Sequence, residues 1–298
     1  MNTNDLAAFI AVVETGSIVA ASTRLNLTQP GVTRRVQSLE EMLGVELLDR
    51  QSKPLKPTTA GREAYEQGRR VLRTLDDLKS GVAADGVVRG EFRLGVTPYL
   101  SEAALSAPLD MLRAQFPALS VHIVSGWSPD HAERVCRNQL DAAAICLPDG
   151  VTPPEELVCD DLGTQAVTFV VARDMKVPKS VDLPGLSHLP WVINQDGCGF
   201  RRALKRRFDA AHLPFNIAVE ALDPELRLSL VARGVGIGLV TPIALKRSPL
   251  RSKLKVVKVE NFEPAVRAWV VHRPPPGRLA VPIKAFRDAL AVELRDAS

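Results

Sequence analysis

The side chains best placed to do chemistry in this 298-residue chain lie between Gly16 and Gln37. Thr28, Gln29, Pro30, Thr33, Arg34 and Gln37 crowd one short stretch, and helical spacing puts Gln29, Thr33, Arg34 and Gln37 on an exposed face. A glutamine amide can bond an adenine edge twice, an arginine can do the same to guanine, and a threonine can meet a thymine methyl or a phosphate. Residues near the start of such a helix sit deepest in a major groove. Thr28 and the helix N-terminus, with its free N–H groups, suit a phosphate oxygen.

Those side chains need two helices held by a tight turn. Leu6, Phe9, Ile10 and Val13 form the stripe of a first helix, which Gly16 ends. Ser17 caps a second helix reaching Leu25, with small Ala20 and Ala21 for close approach. Asn26 and Leu27 turn the chain. Thr28 caps a third helix with Pro30 in its first turn and Val32, Val36, Leu39 and Leu43 as its buried face, stopped by Gly44. Pro54 and Pro57 rule out helix between them and suit a small β-wing. A long helix then starts at Thr58 or Thr59 and runs to about Ala84. Along it Ala64, Gly68, Val71, Leu75, Leu78 and Val82 make a heptad seam, either for a second copy or for the helix's own domain. Asp85, Gly86 and Gly90 mark a hinge.

Beyond Glu91 strands alternate with helices. Strands are predicted at 92–96, 121–124, 142–147, 167–171, 191–193, 217–219, 237–240, 254–259 and 268–271. Helices are predicted at 100–116, from Ser128, from Phe200, from Asp223 and from near Gly277. This order predicts parallel sheets in an α/β fold, and its length is enough for two lobes with a cleft between them.

Composition sets limits. Apolar residues make up 46% and charged residues 24%, which supports folded cores and argues against pervasive disorder. Net charge is +4, with basic residues concentrated at 24–37 and 50–62, where no acid occurs. A surface touching phosphate at chosen points has this distribution. Cys136, Cys146, Cys159 and Cys198 show no metal-ligand spacing and read as reduced thiols of a cytoplasmic protein, with a two-cysteine redox switch as the alternative. The apolar run Ala7–Val13 is too short for a membrane span and lacks the basic flank of a signal peptide, so no membrane partner is expected.

The Ala20-Ala21 pair, Leu25, Thr28-Gln29-Pro30, Thr33-Arg34, Leu39-Glu40, the run Leu43 to Arg50, and Thr59-Ala60-Gly61 together resemble the LysR-type transcriptional regulators. Gln139 to Ala143 and Leu230 to Pro242 carry the resemblance through the rest of the chain. Gly31 and Thr58 depart from the family's usual residues. The resemblance implies an N-terminal all-α winged helix-turn-helix with a long linker helix, and a C-terminal α/β two-lobed effector domain like the type 2 periplasmic binding proteins. It implies residues 1–60 for DNA binding, 61–85 for the dimerising linker, 86–90 as hinge and 91–298 for effector binding. Lobe I would take about 91–161 and 269–298, and lobe II about 162–268. Arg50, Lys53 and Lys56 become candidates for DNA backbone or minor-groove contact, with a solvated basic loop as the alternative. Implied partners are double-stranded DNA carrying an interrupted palindrome, a second copy through the linker with tetramers beyond, RNA polymerase, and a small-molecule co-inducer, with no other cofactor.

The family places its ligand between the lobes. Matching pieces here are Thr97, Pro98 and Tyr99; Ser125 and Trp127; Cys146; Asn194, Gln195 and Cys198; and Thr241. Strand carboxyl ends and helix N-termini favour anions, so an organic acid is expected, oriented by Thr97 and Ser125. Trp127 either stacks on its ring or packs a lobe. The glycines at 234, 236 and 238 precede a strand, the wrong order for a dinucleotide loop. Arg201, Arg202, Lys205, Arg206 and Arg207 form a basic helix face, solvated or else a subunit or DNA contact. Cys198 sits where a thiol sensor could, though no second cysteine lies close behind it. No GxSxG or HExxH motif supports an enzyme; the rival reading is a two-lobed solute-binding protein or enzyme without a transcriptional role.

Overall fold

The computed structural model describes residues 2–81, 87–148, 150–178, 180–195, 199–260, 262 and 265–296. The chain forms two compact units, Met1–Gly86 and Val87–Ser298.

In the N-terminal unit, helix α1 (Thr3–Thr15) ends at Gly16, whose φ of 65° is left-handed. Helix α2 (Ile18–Leu25) is capped by the Ser17 hydroxyl and closed by Asn26 at φ 53°. Helix α3 (Gln29–Leu43) is capped by Thr28, which accepts from the Gly31 N–H, and closes at Gly44. Strands β1 (Leu48–Asp49) and β2 (Lys56–Pro57) pair antiparallel as a short wing before helix α4 (Thr59–Gly81). The core gathers Leu6, Phe9, Val12, Ala21, Val36 and Leu39. Two expected core positions differ. Ala20 is exposed, with Ala21 and Ser22 buried instead. Leu43 is 45% exposed, and Glu40 turns inward in its place.

Glu40 is buried because the wing needs an acceptor. Its carboxylate receives the N–H groups of Leu47 and Leu48 at 2.8 and 3.3 Å and the Arg50 guanidinium at 2.7 Å. A buried carboxylate with three donors repays its desolvation. The Thr58 hydroxyl caps α4 through the Gly61 N–H and donates to the Glu46 carbonyl. Gly61 itself leaves no room for a side chain, since a Cβ there would lie 2.0 Å from the Leu47 oxygen.

The C-terminal unit begins with β3 (Gly90–Val96). The predicted helix 100–116 is two helices, α5 (Ser101–Ala104) and α6 (Ala107–Gln115), broken at Leu105-Ser106, with Pro108 in the first turn of α6. Then come β4 (Leu119–Ser125), α7 (Ser128–Cys136), β5 (Ala142–Pro148), β6 (Val158–Ala166), β7 (Thr168–Ala172), β8 (Ser180–Val181), α8 (Leu183–Ser187) and β9 (Trp191–Ile193). The chain continues through α9 (Gly199–Ala210), β10 (Ile217–Glu220), α10 (Pro224–Ala232), β11 (Gly238–Val240), α11 (Pro242–Arg247), β12 (Leu254–Val259), β13 (Ala265–His272) and α12 (Ala280–Asp296).

One sheet has the order β4-β3-β5-β13-β6, and a second β11-β7-β12-β8, with β9 and β10 as a parallel pair. The sheets are mixed where parallel ones were expected. Strands β3, β4 and β5 run parallel, but β13 pairs antiparallel with both β5 and β6, and β7 with β11 and β12. The cause is the crossing strands: β6 leads almost directly into β7, and β13 follows β12, so each sheet takes strands from chain already running back. One apolar cluster draws on both sheets, with Phe92, Leu94, Phe169, Trp191 and Phe286 fully or almost fully buried. Among the described residues no helix is long and apolar enough to cross a membrane.

Candidate functional site

Helix α3 presents its chemistry as the spacing implies. Val32, Val36 and Leu39 are buried, while Gln29, Pro30, Arg34 and Gln37 are exposed and Thr33 is half-buried. The Thr33 hydroxyl donates to the Gln29 carbonyl at 3.0 Å, which leaves its oxygen lone pairs for a partner. Thr28 is exposed beside the first turn of α3. Neither Gln29 nor Arg34 forms a side-chain hydrogen bond among the described residues, so both can be spent on an external partner. On the wing, Lys53 and Lys56 are exposed. Arg50 is also exposed, yet its guanidinium is fixed by Glu40. The Leu55 N–H donates to the Gly16 carbonyl at 2.9 Å, which ties the wing to the corner between α1 and α2.

The heptad seam of α4 divides in two. A Cβ on Gly68 would lie 2.6 Å from Leu6 Cδ1, so Gly68 admits α1 and serves the unit's own core, as does Ala64. Val71 and Leu78, 40% and 62% exposed, are not covered. Val82 lies outside the described residues.

In the C-terminal unit the expected effector residues fall into different environments. Thr97, just after β3, is 2% exposed, and among the described residues its hydroxyl has no hydrogen-bond partner. Pro98 is buried and Tyr99 half-buried beside it. Ser125, at the end of edge strand β4, is exposed, and the half-buried Trp127 packs against the core cluster. The hydroxyl that binds inward is Ser128, which donates to the Cys146 carbonyl at 2.6 Å and accepts from the Cys146 N–H at 3.1 Å. Cys146 itself is a core residue. Asn194 is buried with its carbonyl bound by Arg201, Gln195 is exposed, and Thr241 caps α11 through the Ala244 N–H. Cys198 lies outside the described residues.

His131, which the sequence did not single out, is fully buried on α7. Its Nε2 lies 3.3 Å from the Val96 carbonyl, and among the described residues its Nδ1 has no partner. A Cβ on Gly95 would collide with the ring and one on Gly126 would crowd it, so these two glycines are the legible trace of it. Burial pushes the imidazole pKa below its ordinary value of 6.5. His131 and Thr97 therefore bracket the end of β3 with two unsatisfied polar atoms.

The α9 basic face is paired only in part. On α9, Arg201 binds Glu220 and Lys205 binds Asp209, and Arg207 lies over Phe262 at 4.8 Å. Burial pushes the Cys136 and Cys159 thiols up, away from thiolate chemistry. The described residues hold no group of three or more metal-ligating side chains. Gly236 and Gly238 admit the Pro190 carbonyl and the Val231 side chain, which accounts for that glycine run by packing.

A winged helix-turn-helix followed in the chain by a two-sheet α/β unit is the build of a ligand-responsive DNA-binding regulator. Two family profiles match: "Bacterial regulatory helix-turn-helix protein, lysR family" over residues 3–62, and "LysR substrate binding domain" over residues 85–295. The chain belongs to the LysR family of transcriptional regulators, with a helix-turn-helix and an effector-binding domain. It is 25% identical over 287 residues to the HTH-type transcriptional activator CmpR of Synechocystis, covering 95% of this chain and 92% of that one. It is 27% identical over 282 residues to the HTH-type transcriptional regulator CbbR of Xanthobacter flavus, covering 93% and 84%. In fold it is similar to full-length OxyR of Pseudomonas aeruginosa, with TM-score 0.75, 18% identity and coverage of 97% and 94%. Full-length CbnR complexed with its target DNA aligns at TM-score 0.69 and 22% identity over 100% of both chains.

Proposed function

We propose that this regulator reads an interrupted palindrome through α3 and answers to a small organic acid bound beside Thr97. Gln29, Thr33, Arg34 and Gln37 contact base edges, Thr28 and the α3 N-terminus hold a phosphate, and Lys53 and Lys56 follow the backbone on either side. Arg50 acts chiefly by holding the wing to Glu40. Val71, Leu75 and Leu78 join two copies, which sets half-site spacing, and dimers pair into tetramers. RNA polymerase is the downstream partner, and the cytoplasm the place of action.

The observation that carries the effector reading is the Thr97 hydroxyl, buried without a partner at the carboxyl end of a parallel strand. An unsatisfied buried hydroxyl costs about 1–3 kcal/mol, which an incoming acceptor removes. The test is a thermal-shift screen of the full chain against small metabolites. Saturation at 100 times the dissociation constant stabilises by about 2.7 kcal/mol. A carboxylate hit abolished by Thr97→Val supports the reading; hits confined to cationic or bulky neutral compounds refute it.

A further inference from the structure

We propose that the C-terminal unit holds a second ligand site, apart from Thr97, for an anion with an apolar body such as an aryl or alkyl carboxylate or sulfonate. The site is a groove of about 610 Å³ between α11 and β12, reached also by the chain just after β7.

Its lining contains three cations, Arg173, Arg251 and Lys255, and no acid. Two of the three are fixed by neutral groups. Arg173 Nε donates to the Ser252 carbonyl at 2.5 Å, and Lys255 Nζ donates to the carbonyls of Met175 and Val177 at 2.5 and 3.4 Å. Among the described residues, none of the three cations forms an ion pair with a carboxylate. Carbonyl contacts position a cation without cancelling its charge. Lys255 stands on the face of β12 opposite Leu254 and Val256, with its ammonium held by carbonyls outside the groove, so Arg173 and Arg251 are the cations that a bound anion would meet.

Apart from Ser252, the rest of the lining is apolar. Leu254 is buried at the base, Leu245 is half-buried, and Val256 stands 52% exposed on the rim. Leaving Val256 in water beside fixed cations is unfavourable, and an apolar body laid over it removes that surface from solvent. A phosphate or chloride ion would answer the charge but not this floor, and a DNA backbone would have no use for it. An amphipathic anion answers both.

The test uses the full chain with 8-anilinonaphthalene-1-sulfonate as fluorescent probe and decanoate as competitor. Saturable binding that decanoate displaces is expected. Binding should weaken roughly tenfold or more in Arg251→Glu, the loss that follows from removing a charge-assisted hydrogen bond. Both Arg251 and Val256 are exposed, so Val256→Asp provides a second variant that leaves the core intact and should weaken binding as well. Thr97→Val should leave the titration unchanged, which separates this site from the one proposed beside β3. Binding that survives both groove substitutions, or that is lost in Thr97→Val, or no saturable binding at all, overturns the proposal.

Discussion

Replacing Thr97 by valine should raise stability while removing ligand response. Valine keeps the β-branched shape and deletes only the hydroxyl. At most helix N-caps that deletion costs about 1 kcal/mol, because the hydroxyl bonds an N–H of the first turn. Thr97 precedes the short turn Pro98–Leu100 without making such a bond. Its oxygen is buried and has no partner among the described residues, so the substitution removes a desolvation penalty without breaking a hydrogen bond seen there. A gain of about 1 kcal/mol is expected, or about 2–4 °C in Tm for a unit of this size. The same oxygen, bonded to a carboxylate ligand, would contribute about 1.5–3 kcal/mol, so affinity should fall roughly 10- to 150-fold. Differential scanning calorimetry of the two proteins without ligand decides the first half. A Tm lowered by several degrees in Thr97→Val would show that the hydroxyl is already satisfied, and the effector argument built on it would fail.

Three further outcomes follow from particular contacts. Glu40→Ala strands the buried N–H groups of Leu47 and Leu48, so it should destabilise the N-terminal unit by about 2–4 kcal/mol. Exposed Glu41→Ala should stay within about 0.5 kcal/mol in the same urea titration, and equal effects would contradict the role given to Glu40. Val71→Glu with Leu78→Glu places charge on α4 where the protomer leaves it uncovered, so sedimentation velocity should show smaller species with unchanged helix content. An unaltered distribution would move the subunit contact elsewhere. Because burial lowers the His131 pKa, the unfolded chain takes up this proton before the folded chain does. Stability should therefore fall as pH drops below about 6.5, by up to about 1.4 kcal/mol per pH unit, until the depressed pKa is passed. His131→Gln should flatten that slope in denaturation series between pH 7.5 and 5, and an undiminished slope would assign the effect to other groups.

Local chemistry was what the sequence made legible. Ser17, Thr28, Gly16 and Gly44 act within a turn of their own positions, and the structure uses each as a cap or stop. Long-range pairing was not legible. Strand β6 contains Asp160, Asp161 and Gly163, with no alternation to announce it. It exists because β13 supplies a ladder from Val158 to Ala166 and because Arg287 and Arg267 neutralise its acids. Gly68 fits a heptad seam by spacing, but only the close approach of Leu6 shows that this part of α4 serves its own unit. Glu40 reads as a surface acid until the wing's N–H groups are placed against it. At the effector end the sequence pointed to hydroxyls, yet could not distinguish the exposed Ser125 from the committed Ser128 or the unsatisfied Thr97. That difference is set by which strands close over each oxygen.

Whether α3 reads DNA sequence is decided by selecting duplexes from a random pool on the full chain and sequencing those retained. Wild type should enrich an inverted repeat with an unread spacer, and Arg34→Ala should lose preference at one position in each half while still retaining DNA. Enrichment of no motif by wild type, or of an identical motif by Arg34→Ala, would show that α3 does not read sequence through Arg34.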